Sequence, residues 1–305
     1  MFCIEISNEN RTIPIAEIAS FCRIREVCGR FVLCDCGEAG ILKRLSHSKS
    51  VNYVIFMCGR DELFEKVKGL HFDEFCVRVF GSERGLEREI GSLITGRVNL
   101  DRPENELRVF FVGDDVIFTR KLFSPERGFE ARRATKRPFF SPISLHPKLA
   151  RAMVNLSRAR EMVLDPLCGT GGILIEAGLM GLGIYGNDIS RTIVDGCIRN
   201  LTHFGIEDFR IYNRDICELD LHNAEAIVTD MPYGKSSFMN HEDLSTLYDR
   251  SLGKFHQMLA VGKRAVICTN SLSELRIPSG LRFESVHRVY VHRSMERYVC
   301  SFVKL

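Results

Sequence analysis

No stretch of this chain approaches the ~18 unbroken apolar residues that a membrane span requires. The first ten residues, MFCIEISNEN, carry an acid where a secretion signal would be basic. The expectation is a cytoplasmic protein with no membrane partner. No Cys-x-x-Cys occurs. The 12 cysteines are scattered, and Cys34 and Cys36 form the only close pair. Neither a zinc ribbon nor a redox motif is supported, no metal site is expected, and the thiols read as reduced packing groups. Internal repeats and low-complexity tracts are missing as well. Charge of one sign is also scarce: 42 Lys and Arg against 39 Asp and Glu leave a net charge of +3, too little to indicate a partner by itself.

What charge there is lies unevenly. Residues 127–151 hold seven Lys or Arg, namely Arg127, Arg132, Arg133, Lys136, Arg137, Lys148 and Arg151, against one acid, Glu130. The same stripe carries Phe139, Phe140 and three of the nine prolines. With 305 residues the chain has length for about two domains, and the pattern changes across the stripe.

Before it, short strands (FCIEI, RFVLCDC, NYVIFMC, EFCVRVF) alternate with helices expected over residues 13–22, 38–45, 61–68 and 83–94. A hairpin follows, ELRVFFV and VIFTRKL around Gly113-Asp114-Asp115. This reads as α+β. After the stripe the alternation is longer. Strands EMVLD, GIYGND, FRIYNR, AIVTD and RAVICTN are separated by helices over 172–180, 191–204 and 244–259. A closing hairpin runs through RFESVHRVYV and ERYVCSFVKL. Strands separated by helices imply an α/β, doubly wound, mostly parallel sheet, to which the hairpin adds antiparallel strands.

The loop after the first of these strands is DPLCGTGG, Asp165 to Gly172. Its glycines let backbone N–H groups approach a ligand, and the following helix N-terminus favours an anionic group. It lacks the G-x-G-x-x-G of dinucleotide folds and the Gly-Lys-Ser/Thr of a P-loop, which weakens a pyrophosphate reading. Four successive strand ends carry an acid: Asp165, Asp188, Asp215 and Asp230. Any one of them would be read as a helix N-cap; four in register behind GTGG favour a ligand rim. A ligand with a carboxylate, ribose hydroxyls and an adenine amine but no phosphate fits it, and S-adenosylmethionine is such a ligand, with Asp188 for the ribose and Asp215 for the amine.

Residues 165–234 resemble the S-adenosylmethionine-dependent amino-methyltransferases. DPLCGTGGILIEAGLMG, NDIS and TDMPYG together resemble the archaeal and eukaryotic tRNA guanosine-10 N2-methyltransferase family. The stripe resembles the segment before that family's first methyltransferase strand. LEREIGSLI with VNLDRPENELRVFFVGDDVIFTRKL resembles the C-terminal half of its THUMP domain, an RNA-binding module. The resemblance implies a small ferredoxin-like α+β unit at 1–50, a THUMP-like domain at 51–125, a basic linker at 126–146 and a seven-stranded methyltransferase domain at 147–305. It implies cofactor contacts from Asp165, Pro166, Cys168, Gly169, Thr170, Gly171, Gly172, Asp188, Ile189, Asp215 and Ile216, with S-adenosylhomocysteine as product. It also implies tRNA contacts from Arg132, Arg133, Lys136 and Arg137. Several relatives work with a small zinc-binding activator subunit that adds a strand at a sheet edge, here Phe209 to Arg214.

Asp230-Met231-Pro232-Tyr233 stands where the family usually has Asp-Pro-Pro-Tyr or Asn-Pro-Pro-Tyr. The exocyclic amine of a base is a poor nucleophile. The Asp230 carboxylate and the Met231 carbonyl would grip its two hydrogens, while Tyr233 stacks on the base. A backbone carbonyl survives the exchange of proline for methionine, so Met231→Pro is expected to stay active. Four other readings share these residues: another THUMP-type RNA guanine-N2 methyltransferase acting at a different site, an adenine-N6 methyltransferase acting on DNA, a methyltransferase acting on protein glutamine, and a non-catalytic RNA-binding relative.

Overall fold

The computed structural model describes the whole chain except Ser82, Arg84, Ile143, residues 233–243 and Ser294. It divides into two units, Met1–Lys43 with His47–Pro125, and Arg44–Ser46 with Glu126–Leu305.

The first unit is built on eight strands: β1 (Phe2–Ile6), β2 (Arg23–Cys28), β3 (Phe31–Asp35), β4 (Ser48–Gly59), β5 (His71–Phe80), β6 (Thr95–Val98), β7 (Asn105–Val112) and β8 (Asp115–Phe123). They form one sheet in the order β2-β3-β1-β4-β8-β7-β5-β6. Residue 50 lies inside β4, whose first half pairs with β1 and whose later residues pair with β8. Three short helices, α1 (Ile13–Ala19), α2 (Leu63–Val67) and α3 (Glu87–Ser92), supply the apolar residues Ile13, Ile18, Leu63, Val67 and Ile90 to its buried core. The helix expected over 38–45 is a 3-10 segment, Ala39–Arg44.

In the second unit α4 (Pro147–Leu156) precedes β9 (Met162–Asp165). Next come α5 (Gly172–Leu179), β10 (Gly183–Asn187), α6 (Arg191–His203), β11 (Phe209–Tyr212), β12 (Ala224–Asp230), α7 (Leu244–Met258), β13 (Leu259–Thr269), β14 (Leu281–His292) and β15 (Met295–Lys304). The seven strands are ordered β11-β10-β9-β12-β13-β15-β14. The first five run parallel and the closing pair antiparallel. This is the doubly wound, mostly parallel sheet expected from the alternation. The apolar runs of the central strands are buried because helices cover such a sheet: Leu164, Ile227, Ala265, Ile267 and Phe302 pack with Leu252 and Phe255 of α7. Glu225 fixes where β9 begins, its carboxylate accepting the N–H groups of Arg160, Glu161 and Met162.

Candidate active site

The order β10-β9-β12 brings the carboxyl ends of three parallel strands together, and the candidate residues lie there or in the loops beyond. After β9 the chain turns through Pro166 to Gly171. Gly169 and Gly171 hold φ of +52° and +83°, the left-handed region open to glycine. At Gly171 a Cβ would also come within 2.8 Å of the Cys197 sulfur. Gly171 is the N-cap of α5 and offers no capping side chain, so the first-turn N–H groups of α5 lack that partner. Cys168 and Thr170 are buried. Cys168 donates its N–H to the Asn187 carbonyl at 2.8 Å. Its thiol is raised well above its ordinary range by a hydrogen bond with Cys197 and by burial.

Asp188 ties this loop to the next strand end. Its Oδ2 accepts from the Gly169 N–H at 3.1 Å and its Oδ1 from the Ser190 N–H at 2.9 Å. Burial lifts its pKa above the ordinary carboxylate value, against those two bonds. Ile189, beside it, is 51% exposed. Asn187, which sequence reasoning passed over, is buried and donates to the carbonyls of Pro166 and Arg214, binding three strand ends together. Asp215 caps the short turn Ile216–Glu218 through Oδ1, which accepts from the Cys217 N–H and from Arg250. Burial pulls its pKa upward, but those two partners hold it below the usual range. Ile216 is buried in the core with Leu219 and Tyr248.

Asp165 departs from the expected rim. Its carboxylate is 1% exposed and accepts from the Thr229 hydroxyl at 2.6 Å and the Leu167 N–H at 3.3 Å. It therefore clamps β9 to β12 beneath the site. Burial pushes its pKa up to about 7, with the charges of Asp230 and Asp188 adding to the rise.

Asp230 ends β12 opposite Cys268 of β13. The thiol of Cys268 is raised well above its ordinary range by burial and by the Asp230 carboxylate. Met231 is fully buried, its side chain in the core with Tyr248, Leu252 and Phe255, and its N–H donates to the Cys268 carbonyl at 2.8 Å. This corrects the expectation for Met231→Pro, because a proline there would remove both the donor and the packing. The Pro232 carbonyl accepts from the Tyr248 hydroxyl at 3.0 Å, and Tyr248 in turn meets Thr269 Oγ1 at 3.1 Å. Burial pushes the Tyr248 phenol up to about 12, so at neutral pH it keeps the proton it donates. Tyr233 lies outside the described residues.

The basic stripe also needs correction. Arg132 is 7% exposed and is held by Glu176 and Glu126, and Arg137 is 6% exposed. Both are interior groups, so neither is placed to meet an RNA phosphate. Arg133 and Lys136 are exposed, and Arg133 pairs with Glu130 at 3.1 Å.

Comparison with known proteins agrees with this geometry. A family model described as "RMKL-like, methyltransferase domain" matches residues 134–298. The chain is 39% identical over 280 residues to the tRNA (guanine(10)-N2)-dimethyltransferase of Methanothermobacter thermautotrophicus, spanning 84% of this chain and 82% of that protein. It is 35% identical over 257 residues to the protein of the same name from Pyrococcus abyssi, spanning 78% of each. Among solved structures, TrmN from Thermus thermophilus shares the fold, with a TM-score of 0.55 at 18% identity over 100% of this chain and 99% of that one. The chain thus belongs to the RMKL-like methyltransferases and, within them, to the tRNA guanosine-10 N2-methyltransferase family.

Proposed function

We propose that this chain transfers a methyl group from S-adenosylmethionine to the exocyclic N2 amine of a guanosine in tRNA. Position 10 is the proposed target, two successive transfers the outcome, and S-adenosylhomocysteine the product. The observation that carries the reading is the likeness over 84% of the chain to a tRNA (guanine(10)-N2)-dimethyltransferase, with Asp230 and Pro232 held at the end of β12 beside the Gly-rich loop.

The residues present fit the cofactor. The first turn of α5, without a capping side chain at Gly171, suits an anionic amino-acid end. Each Asp188 oxygen takes a single N–H and keeps a lone pair for a ribose hydroxyl. Asp215 stands at the next strand end for the adenine amine. When bound, S-adenosylmethionine supplies an electrophilic methyl group on a sulfonium centre.

The rest of the chemistry belongs to the chain. The Asp230 carboxylate and the Met231 carbonyl accept the two amine hydrogens and aim the nitrogen lone pair. As the nitrogen gains positive charge, Asp230 stabilises it and holds the proton that leaves. The Met231 N–H bond to Cys268 and the Tyr248 bond to Pro232 hold the backbone on either side of the Met231 carbonyl before substrate arrives. The protein incubated with a tRNA transcript should yield N2-methylguanosine and N2,N2-dimethylguanosine in nucleoside mass spectrometry. Methyl transfer to DNA adenine or to a glutamine peptide instead, or to nothing, overturns the reading.

Residues 51–125 act as a THUMP-like module that grips the tRNA backbone, with Arg133 and Lys136 as further phosphate contacts. The enzyme works in the cytoplasm, where it meets tRNA. A small zinc-binding activator subunit would pair with β11, a reading supported by the edge position of that strand in the sheet. Co-purification from the native host, lost in Ile211→Pro, tests the pairing; a fully active protein recovered alone argues against it.

A further inference from the structure

Three guanidinium groups and two carboxylates gather beside α5. Glu176, wholly buried, accepts from Arg132 Nε at 2.6 Å and from Arg151 Nε at 2.9 Å. Glu126 takes Arg132 Nη1 at 2.5 Å and Arg151 Nη1 at 2.7 Å. Both acids are thereby engaged by two of the three cations. The third, Arg137, uses only its Nε, which donates to the Arg132 carbonyl at 2.9 Å. Its Nη1 and Nη2 are buried and meet no hydrogen-bond partner among the described residues. Burial lowers its pKa, with the charge of Glu176 opposing that effect.

The unpartnered end of this side chain lies against the Gly-rich loop. A Cβ on Gly172, the first residue of α5, would stand 3.2 Å from Nη1 and 3.5 Å from Nη2. The helix end there carries partial positive charge, and Gly171 supplies no capping oxygen. Two positive groups thus face one another in an interior position, a costly arrangement for a buried guanidinium unless an anion completes it.

The placement is built in. Asn200 of α6 accepts the Phe139 N–H at 2.9 Å and donates to the carbonyls of Phe139 and Thr170, each at 3.0 Å. The Phe139 ring lies over Gly196, where a Cβ would come within 2.3 Å of it. The chain just beyond Arg137 is therefore fastened to the loop itself.

We propose that Arg137 and the first turn of α5 form the subsite for the amino-acid carboxylate of S-adenosylmethionine, so that a member of the basic stripe serves the cofactor. The inference rests on the cofactor reading above. A guanidinium with two free terminal nitrogens matches a planar carboxylate in a two-point pair. The depth of Arg137 excludes a polynucleotide phosphate and leaves the Gly-rich loop as the neighbour of its terminal nitrogens. Asp188, bonded to Gly169 of the same loop, would hold the ribose of that ligand.

Calorimetry with two ligands tests this: S-adenosylhomocysteine, and its decarboxylated analogue, which lacks only the carboxylate. The wild-type protein should prefer the first by about 10- to 100-fold, the range for charged hydrogen bonds. Arg137→Met should weaken S-adenosylhomocysteine by that factor and leave the analogue within about twofold, and Arg137→Lys should recover part of the preference. Equal wild-type affinity for the two ligands overturns the proposal, and does so even if Arg137→Met fails to fold. Equal loss of both ligands in Arg137→Met reduces the residue to a structural one. Unchanged S-adenosylhomocysteine binding with weakened tRNA binding in that variant returns it to the RNA. A wild-type protein that binds neither ligand refutes the cofactor reading instead.

Discussion

Met231→Pro restores the residue that relatives of this type usually carry, and the structure predicts that it damages the protein. Two losses combine. The Met231 N–H donates to the Cys268 carbonyl at 2.8 Å, and proline has no N–H to give; leaving a buried carbonyl unpaired costs about 1–3 kcal/mol. The Met231 side chain is also fully buried among Tyr248, Leu252 and Phe255. Truncating a buried methionine to alanine costs about 2–5 kcal/mol, and the three ring carbons of proline refill only part of that space. The expected destabilisation is about 2–5 kcal/mol, a fall in Tm of roughly 5–15 °C for a unit of this size. Met231→Leu keeps the N–H and nearly the volume, so it should stay within about 1.5 kcal/mol of the wild type. Differential scanning calorimetry on the three proteins, followed by methylation rates at a temperature where all are folded, makes the comparison. A Met231→Pro protein that melts with the wild type and methylates at its rate would show that neither the bond nor the packing holds the motif.

Asp165 gives a pH signature. Its folded pKa of about 7 lies above the value near 4 of an unfolded Asp. Its contribution to stability is therefore complete at low pH, declines as pH rises through that interval, and is lost above 7. Asp165→Asn removes this dependence, so its stability relative to the wild type should rise by about 2–3 kcal/mol between pH 5 and pH 8; a constant difference across that range, in urea titrations, contradicts the burial argument. On the RNA side, replacing the exposed Arg133 and Lys136 by Ala should lower the salt dependence of tRNA binding by up to about two phosphate contacts without affecting cofactor affinity. A slope equal to that of the wild type would leave them as solvated surface charge.

The second unit was legible because its signals are local. Apolar runs such as VLD and AIVTD end in acids, the glycines of GTGG mark the turn, and α6 and α7 bury residues at helical spacing, Val194, Cys197 and Leu201 in one and Tyr248, Leu252 and Phe255 in the other. Where packing decided the outcome, the sequence misled. Charge density along 132–137 does not report burial, so Arg132 and Arg137 read as surface groups. The signal that pointed inward was their partner Glu176, a lone acid in the otherwise apolar helix GILIEAGL, which needs a cation if buried. Helix α4 escaped notice within the stripe, although His146 as N-cap and Pro147 at the first helical position mark its start. The strands RIREVC and TGRV are largely exposed edge strands, with no sustained apolar alternation to reveal them. Asp165 was expected at the rim with the other strand-end acids. Only the Thr229 hydroxyl at 2.6 Å, a contact 64 positions away in sequence, shows that it turns inward.

The central claim, that Asp230 activates the N2 amine of a tRNA guanosine on a cofactor bound independently of it, is tested most directly by single-turnover methylation of a tRNA transcript by Asp230→Ala. Calorimetry with S-adenosylhomocysteine on the same preparation completes the measurement. The account predicts cofactor affinity within about twofold of the wild type and a methylation rate lower by ~100-fold or more, the loss expected when an acceptor that acts chiefly in the transition state is removed. Methylation at the wild-type rate, or a rate that falls only in proportion to lost cofactor binding, would contradict it.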